Sequence, residues 1–102
     1  MKRLKFRRRY AQKILSGEKV TTIRLETDLR PGDEVLIVAG DEPVARAVIK
    51  SVVSKRVSEL TDEDAVRDGF TRKRDLMRAL RSIYGEIGEG DEVKIVEFEL
   101  VD

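Results

Sequence analysis

Apolar positions alternate with polar ones in some stretches and recur every three or four residues in others, and each change of period marks a new element. Lys2–Phe6 alternates and predicts a short strand. Arg7–Ser16 places Tyr10, Ala11, Ile14 and Leu15 along one side of a helix. Gly17 follows where a helix-ending glycine belongs. Next, Ile23 and Leu25 alternate with Thr22, Arg24 and Glu26, which predicts a half-buried strand with the two apolar residues toward the core. Lys19 stands in the turn before that strand, able to fold back over its polar face.

Arg30-Pro31-Gly32-Asp33 has proline and glycine in type II turn order. A strand rich in β-branched residues follows over Glu34–Ala39, and Gly40-Asp41-Glu42-Pro43 reads as a turn. Val44–Val57 predicts a long strand, and its alternation changes phase near Ser51-Val52-Val53, where a bulge is expected. Thr61, ahead of three acids, is a helix N-cap, and that helix should end at Gly69. Thr71 is placed as the cap of a second helix, with Leu76, Met77, Leu80, Ile83 and Tyr84 as one core-facing stripe ending at Gly85. Glu92–Val101 closes the chain as a strand around Val93, Ile95, Phe98 and Leu100. The order β-α-β-β-β-α-α-β predicts an α+β chain, mainly β: a small, mostly antiparallel barrel, partly closed, with helices at its rim.

The chain has 102 residues, the size of a single domain with one core. It has no cysteine and no histidine, which excludes a disulfide framework, a thiolate zinc site and the usual proton shuttle. A general base must then be Lys, Asp, Glu or Tyr, and neither metal nor cofactor is expected. No apolar run approaches membrane-spanning length and no signal-peptide pattern follows the basic start, so a cytoplasmic protein with no membrane partner is expected. Charged residues make up 40% of the chain, asparagine is absent and Gln12 is the only glutamine. That composition suits a thermophile.

The net charge of +1 conceals a division: residues 1–24 hold nine Lys/Arg against one acid, Glu18, while the remainder holds twelve against nineteen. A basic block leading into a donor-rich segment is an electrostatic footprint for phosphate backbones. The competing expectation is that Arg7, Arg8, Arg9 and Lys13 pair with the acidic half across the fold.

The donor-rich segment is Gly17-Glu18-Lys19-Val20-Thr21-Thr22-Ile23-Arg24, with the spacing G-x-K-x-x-T-x-R. It resembles the motif of the ASCH domain, a small relative of the PUA domain associated with RNA. Tyr10 through Gly17 resembles the helix leading into that motif, Pro31-Gly32-Asp33-Glu34-Val35 the turn after it, and Glu59-Leu60-Thr61 through Phe70 the family's short helix. Ile83-Tyr84 and Val96-Glu97-Phe98 resemble its closing segments. The resemblance covers nearly the whole chain and implies one PUA-like domain over residues 1–102.

It also implies a site. Some ASCH proteins are small amidohydrolases that remove the acetyl group of N4-acetylcytidine with a lysine, a threonine three residues on and a downstream glutamate. Lys19 and Thr22 match the first two positions. Asp68 aligns with the third, one methylene and about 1.5 Å shorter. In that role Lys19 is the base, Thr22 the nucleophile and Asp68 the acid. The other reading is an RNA- or nucleotide-binding module, with Arg24, Arg7, Arg8, Arg9, Tyr10, Lys13 and Phe70 as ligand contacts. An RNA-cleaving variant would use Lys19, Arg24 and Tyr10. The partner is therefore RNA or a modified nucleoside, and the chain is a monomer or weak homodimer. Binding ranks ahead, since charge and family both favour it.

Two further patterns bear on this. Thr71-Arg72-Lys73-Arg74 puts three cations in a first helical turn, against the macrodipole, so they must meet either the nearby acids Asp62, Glu63, Asp64 and Asp68 or phosphate. Arg78 and Arg81 lie off the apolar stripe and are free to touch RNA. Aromatic residues are few (Phe6, Tyr10, Phe70, Tyr84 and Phe98), and most are expected in the core. A sheet that stacks several bases is therefore not expected, though one nucleotide could rest against Tyr10 or Phe70.

Overall fold

The computed structural model describes residues 1–101. Its strands are β1 (Lys2–Phe6), β2 (Thr21–Arg24), β3 (Glu34–Ala39), β4 (Glu42–Arg56) and β5 (Glu92–Val101). Its helices are α1 (Ala11–Leu15), α2 (Asp62–Arg67) and α3 (Lys73–Tyr84), with single 3-10 turns at Arg8–Tyr10 and Val57–Glu59. The element order is the one the periodicity predicts. The strands form one sheet in the order β1-β3-β4-β5-β2, with β1 parallel to β3 and every other pair antiparallel. The result is a mixed half-barrel carrying a few helices, an α+β architecture that is mostly β.

β4 and β5 are the spine of the sheet, and their register shifts between Ile49 and Ser51, leaving Lys50 as the extra residue of a bulge. The predicted phase change thus falls one residue early. β5 is buried on both faces: Val96 and Phe98 belong to a cluster with Leu4, Ile14, Ile37 and Ile49, while Val93 and Ile95 pack with Leu60, Ala65, Leu76 and Leu80 under the helices. Phe70, in the α2–α3 connection, touches both clusters.

The turn chemistry holds. Gly32 has φ +93°, and the Asp33 amide donates to the Arg30 carbonyl at 3.0 Å, as a type II turn requires. Thr61 caps α2 by accepting from the Asp64 amide, and Asp64 reaches back to the Thr61 amide.

Several placements differ from expectation. Leu15 is 49% exposed, because α1 has only five residues and its last turn faces away from the core that Tyr10 and Ile14 enter. Leu25 is 37% exposed, because β2 ends at Arg24 and the pleat that would turn it inward is gone. Ile83 is also exposed, at the rim of a cavity described below. The N-cap of α3 is Arg72 rather than Thr71, and the acceptor there is imported: Asp62 of α2 accepts from the Lys73 amide at 2.8 Å. A carboxylate at that end, with Asp75 in the first turn, offsets the cations against the dipole. No helix is long and apolar enough to cross a membrane.

Candidate functional site

α1, α2 and β2 converge on the segment that carries the motif. Gly17 has φ +82° and lets the chain leave α1 sharply. The Lys19 amide then bonds the Lys13 carbonyl of α1, and the Val20 amide bonds the Arg67 carbonyl at the end of α2. The Val20 carbonyl accepts from Phe98 of β5. The loop is thereby clamped by two helix C-termini and one strand, so Lys19 has a fixed origin.

From that origin the Lys19 side chain runs inward and is 3% exposed. Its Nζ donates to the Asp68 main-chain carbonyl at 2.9 Å and lies 3.2 Å from Asp68 Oδ1. Asp68 is the C-cap of α2 and is 4% exposed. Thr21 donates its hydroxyl to the same Oδ1 at 2.9 Å. Lys13 Nζ donates to the neighbouring Gly69 carbonyl at 2.7 Å. Two lysines therefore satisfy the two carbonyls just past the end of α2, where a helix C-terminus favours cations. That arrangement offsets the unfavourable position of the Asp68 carboxylate.

Gly69 makes the approach possible. Its φ is +92°, and a Cβ there would lie 3.2 Å from Lys19 Cβ and 3.4 Å from Lys13 Cδ. A side chain there would strain the backbone and press on the Lys19 stem, while only touching that of Lys13.

The rings of Tyr10, Phe6 and Phe70 surround the ammonium, with centroids 5.2, 5.6 and 5.9 Å from Lys19 Nζ. Arg24 stands beside them, its guanidinium 5.3 Å from the Phe6 ring. Arg24 Nε donates to Thr22 Oγ1 at 2.8 Å, and its Nη2 donates to the Lys5 carbonyl of β1 at 2.7 Å. These groups enclose a cavity of about 240 Å³, walled by Lys19, Asp68, Thr22, Arg24 and four aromatic rings, with Leu80 and Ile83 of α3 opposite.

Burial sets the electrostatics. It lowers the Lys19 pKa, against the attraction of Asp68. It raises that of Asp68, against the pull of Lys19 and the Thr21 hydroxyl. It also lowers that of Arg24. Both members of the buried pair are pushed toward neutrality. Among the described residues no buried side-chain nitrogen or oxygen lacks a partner.

The candidate residues divide into three groups. Lys19, Thr22, Asp68, Arg24, Arg7, Tyr10 and Phe70 all line the cavity. Arg9 and Lys13 line a groove next to it. Arg8 joins neither; its side chain lies against Gly40 in the β3–β4 turn. Thr22 is not bonded to Lys19, since its hydroxyl oxygen accepts from Arg24 instead. Lys13 pairs with Glu18 at 3.7 Å, but Arg7, Arg8 and Arg9 form no ion pair among the described residues. The expected pairing of the basic block with the acidic half is therefore limited to Lys2, with Asp28 and Asp33, and to the buried Lys19 with Asp68, since Glu18 belongs to the basic block itself.

Sequence reasoning missed Thr21, which looks like an ordinary strand former. It also missed Tyr84, which shares a helical stripe with true core residues yet walls the cavity. Four of the five aromatic residues line this one space rather than the core alone.

The same fold occurs in solved structures. An ASCH domain from Lactobacillus crispatus superposes with a TM-score of 0.68 at 20% identity, over 88% of this chain and 69% of that one. The hypothetical protein PH0355 gives 0.76 at 19% identity, over 99% and 100%. ASCH from Zymomonas mobilis gives 0.71 at 16%, over 98% of this chain and 66% of that one. The chain thus spans about two thirds of the Lactobacillus and Zymomonas proteins and the whole of PH0355. No curated protein is significantly similar to it. The family model of the ASCH domain matches residues 2–102, and the chain belongs to that family.

Proposed function

We propose that this ASCH domain binds RNA or a nucleotide by taking one nucleobase into the cavity around Lys19, Thr22 and Arg24. The observation that carries this reading is the buried Lys19–Asp68 pair opening onto an aromatic-walled space. A buried ion pair adds little net stability, since well-packed apolar residues commonly do as well or better. Perturbed charges in a cleft are instead the mark of a binding or reacting group. At about 240 Å³ the cavity is smaller than the roughly 300–1,000 Å³ of drug-sized sites, which suits one ring system and not a stack of bases. Lys19 and Arg24 supply donors to ring carbonyls, Asp68 an acceptor for amino groups, and Tyr10 and Phe70 flat apolar walls. In this reading residues 1–102 act as one cytoplasmic domain, a monomer or weak homodimer.

Calorimetric titration with the four ribonucleosides, N4-acetylcytidine and a short single-stranded RNA tests it. Saturable binding that weakens in Tyr10→Leu and Arg24→Gln is the expected result. Absence of binding by all of these ligands would overturn the reading.

A second reading has its own support. Thr22 opens on the cavity that holds Lys19, and burial lowers the lysine pKa toward that of a usable base. In its neutral form Lys19 would take the Thr22 hydroxyl proton as the oxygen attacks the acetyl carbonyl of N4-acetylcytidine. The C–N bond would then break, the proton would pass to the departing amine, and water would hydrolyse the acyl-threonine. Asp68 would be the acid of this reading, relaying that proton from the Lys19 ammonium to the amine. Incubation with N4-acetylcytidine, following cytidine release, decides the matter. Turnover lost in both Lys19→Ala and Thr22→Ala supports the hydrolase; no turnover by the intact protein removes it.

A further inference from the structure

We propose that the groove formed by Arg9, Lys13 and Arg78 is a phosphate subsite for the nucleotide whose base enters the cavity, an inference that rests on the nucleobase reading above. The groove and the cavity share Tyr10, Phe70 and Ala79 in their linings. The Tyr10 and Phe70 rings meet edge to face at 6.2 Å and form the common wall. A base held on one side of that wall carries its sugar and phosphate to the rim, where the groove begins.

The groove has the charge for this. Arg9 and Lys13 come from the basic amino-terminal block and Arg78 from α3, two segments far apart in sequence that the fold brings to one surface. Asp75 is the single carboxylate among its lining residues, and with Lys13 paired to Glu18 from outside the lining the groove keeps a surplus of one positive charge.

The donors are also available. Arg78 is exposed and has neither hydrogen bond nor ion pair among the described residues. Arg9 is held over the Tyr10 ring at 5.3 Å, and its one hydrogen bond is to the Tyr10 hydroxyl at 3.4 Å. That contact holds the guanidinium against the ring and leaves its other N–H groups without a hydrogen bond among the described residues. Two guanidinium forks suit a phosphate, which accepts such donors in pairs, while Lys13, held by the Gly69 carbonyl at 2.7 Å and Glu18 at 3.7 Å, adds its charge nearby. Arg7 extends the positive rim, lining the cavity while its Nη atoms reach Ser82 of the groove at 3.4 Å.

The test is calorimetric titration with each ribonucleoside beside its 5′- and 3′-monophosphates and a pentaribonucleotide of the same base. For the base that binds, one phosphorylated ligand should bind about tenfold or more tighter than the nucleoside at low salt. That ratio should shrink as salt rises. In Arg78→Gln the ratio should fall toward one, and in Asp75→Asn it should rise. A gain seen with a monophosphate identifies a terminal phosphate; one confined to the pentanucleotide identifies a backbone phosphate. Equal affinity for nucleoside and every phosphorylated form overturns the subsite and leaves the nucleobase reading standing. A gain undiminished in Arg78→Gln also overturns it, placing the phosphate elsewhere. Binding of no ligand at all overturns both.

Discussion

Lys19 Nζ holds Asp68 at two points, its carboxylate at 3.2 Å and its main-chain carbonyl at 2.9 Å. One ammonium thus neutralises a buried acid and caps the helix that presents it. Removing the lysine leaves an unpaired carboxylate that has nowhere to go. Lys19→Met should therefore destabilise the domain by about 3–5 kcal/mol. Lys19→Met/Asp68→Asn should recover most of that loss, because the amide oxygen still accepts from Thr21 and no lone charge remains buried. Urea unfolding of the two variants measures the difference. A double variant no more stable than the single one would show that the pair is a structural necessity.

The same pair predicts a pH signature. Asp68 has its pKa raised above 3.8 in the folded state, so above 3.8 the folded chain holds a proton that the unfolded chain has released. Stability contributed by this group therefore falls as pH rises from 3.8 to the folded pKa. Lys19 has its pKa lowered below 10.5, so stability rises again as pH climbs from the folded value toward 10.5. Wild type minus Lys19→Met/Asp68→Asn should fall above pH 3.8 and recover toward pH 10.5, with a trough between, read from unfolding midpoints across the range. A flat difference curve would contradict the burial argument.

Two glycines make a contrast. Gly69 and Gly17 both have positive φ, but a Cβ at Gly69 meets Lys19 at 3.2 Å whereas one at Gly17 meets nothing within 4 Å. Gly17→Ala should cost about 1–2 kcal/mol, the backbone strain alone. Gly69→Ala should cost more than that and weaken nucleobase binding as well, because it displaces the stem of Lys19. Thermal unfolding and ligand titration on the two variants separate strain from site damage.

How far the chain itself discloses this depends on the range of the interactions. Local signals were legible: the Thr61 cap, the Arg30–Asp33 turn and the β4 bulge each depend on residues a few positions apart. The cluster of Lys19, Thr22 and Arg24 was legible too, since it lies in one short segment, and Asp68 came from the family resemblance. The partners that cross the fold were not. Nothing near Thr21 in sequence marks it as a donor to Asp68, 47 positions away. Helical spacing assigned Tyr84 to the core because a cavity wall and a core face have the same period. Leu25 and Leu15 failed for the opposite reason: β2 ends one residue before Leu25, and Leu15 is the last residue of a five-residue helix whose end faces away from the core.

Arg24 closes what the sheet leaves open. β1 and β2 are its two outer strands, and Arg24 spans them by donating to the Lys5 carbonyl at 2.7 Å from a side chain rooted in β2. Its Nε orients the Thr22 hydroxyl at 2.8 Å, and its guanidinium lies 5.3 Å from the Phe6 ring centroid. A lysine keeps the charge but offers one compact donor centre, so it cannot serve both acceptors and stack on the ring. Arg24→Lys should lose about 1.5–3 kcal/mol, the worth of a hydrogen bond to a charged group. It should also lose nucleobase affinity, as the Thr22 hydroxyl and the cavity mouth both loosen. Amide hydrogen exchange gives the sharper reading: protection should drop in β1 and β2 while the β4–β5 spine stays protected. Equal loss across all five strands would mean that Arg24 supports the whole fold and not the seam.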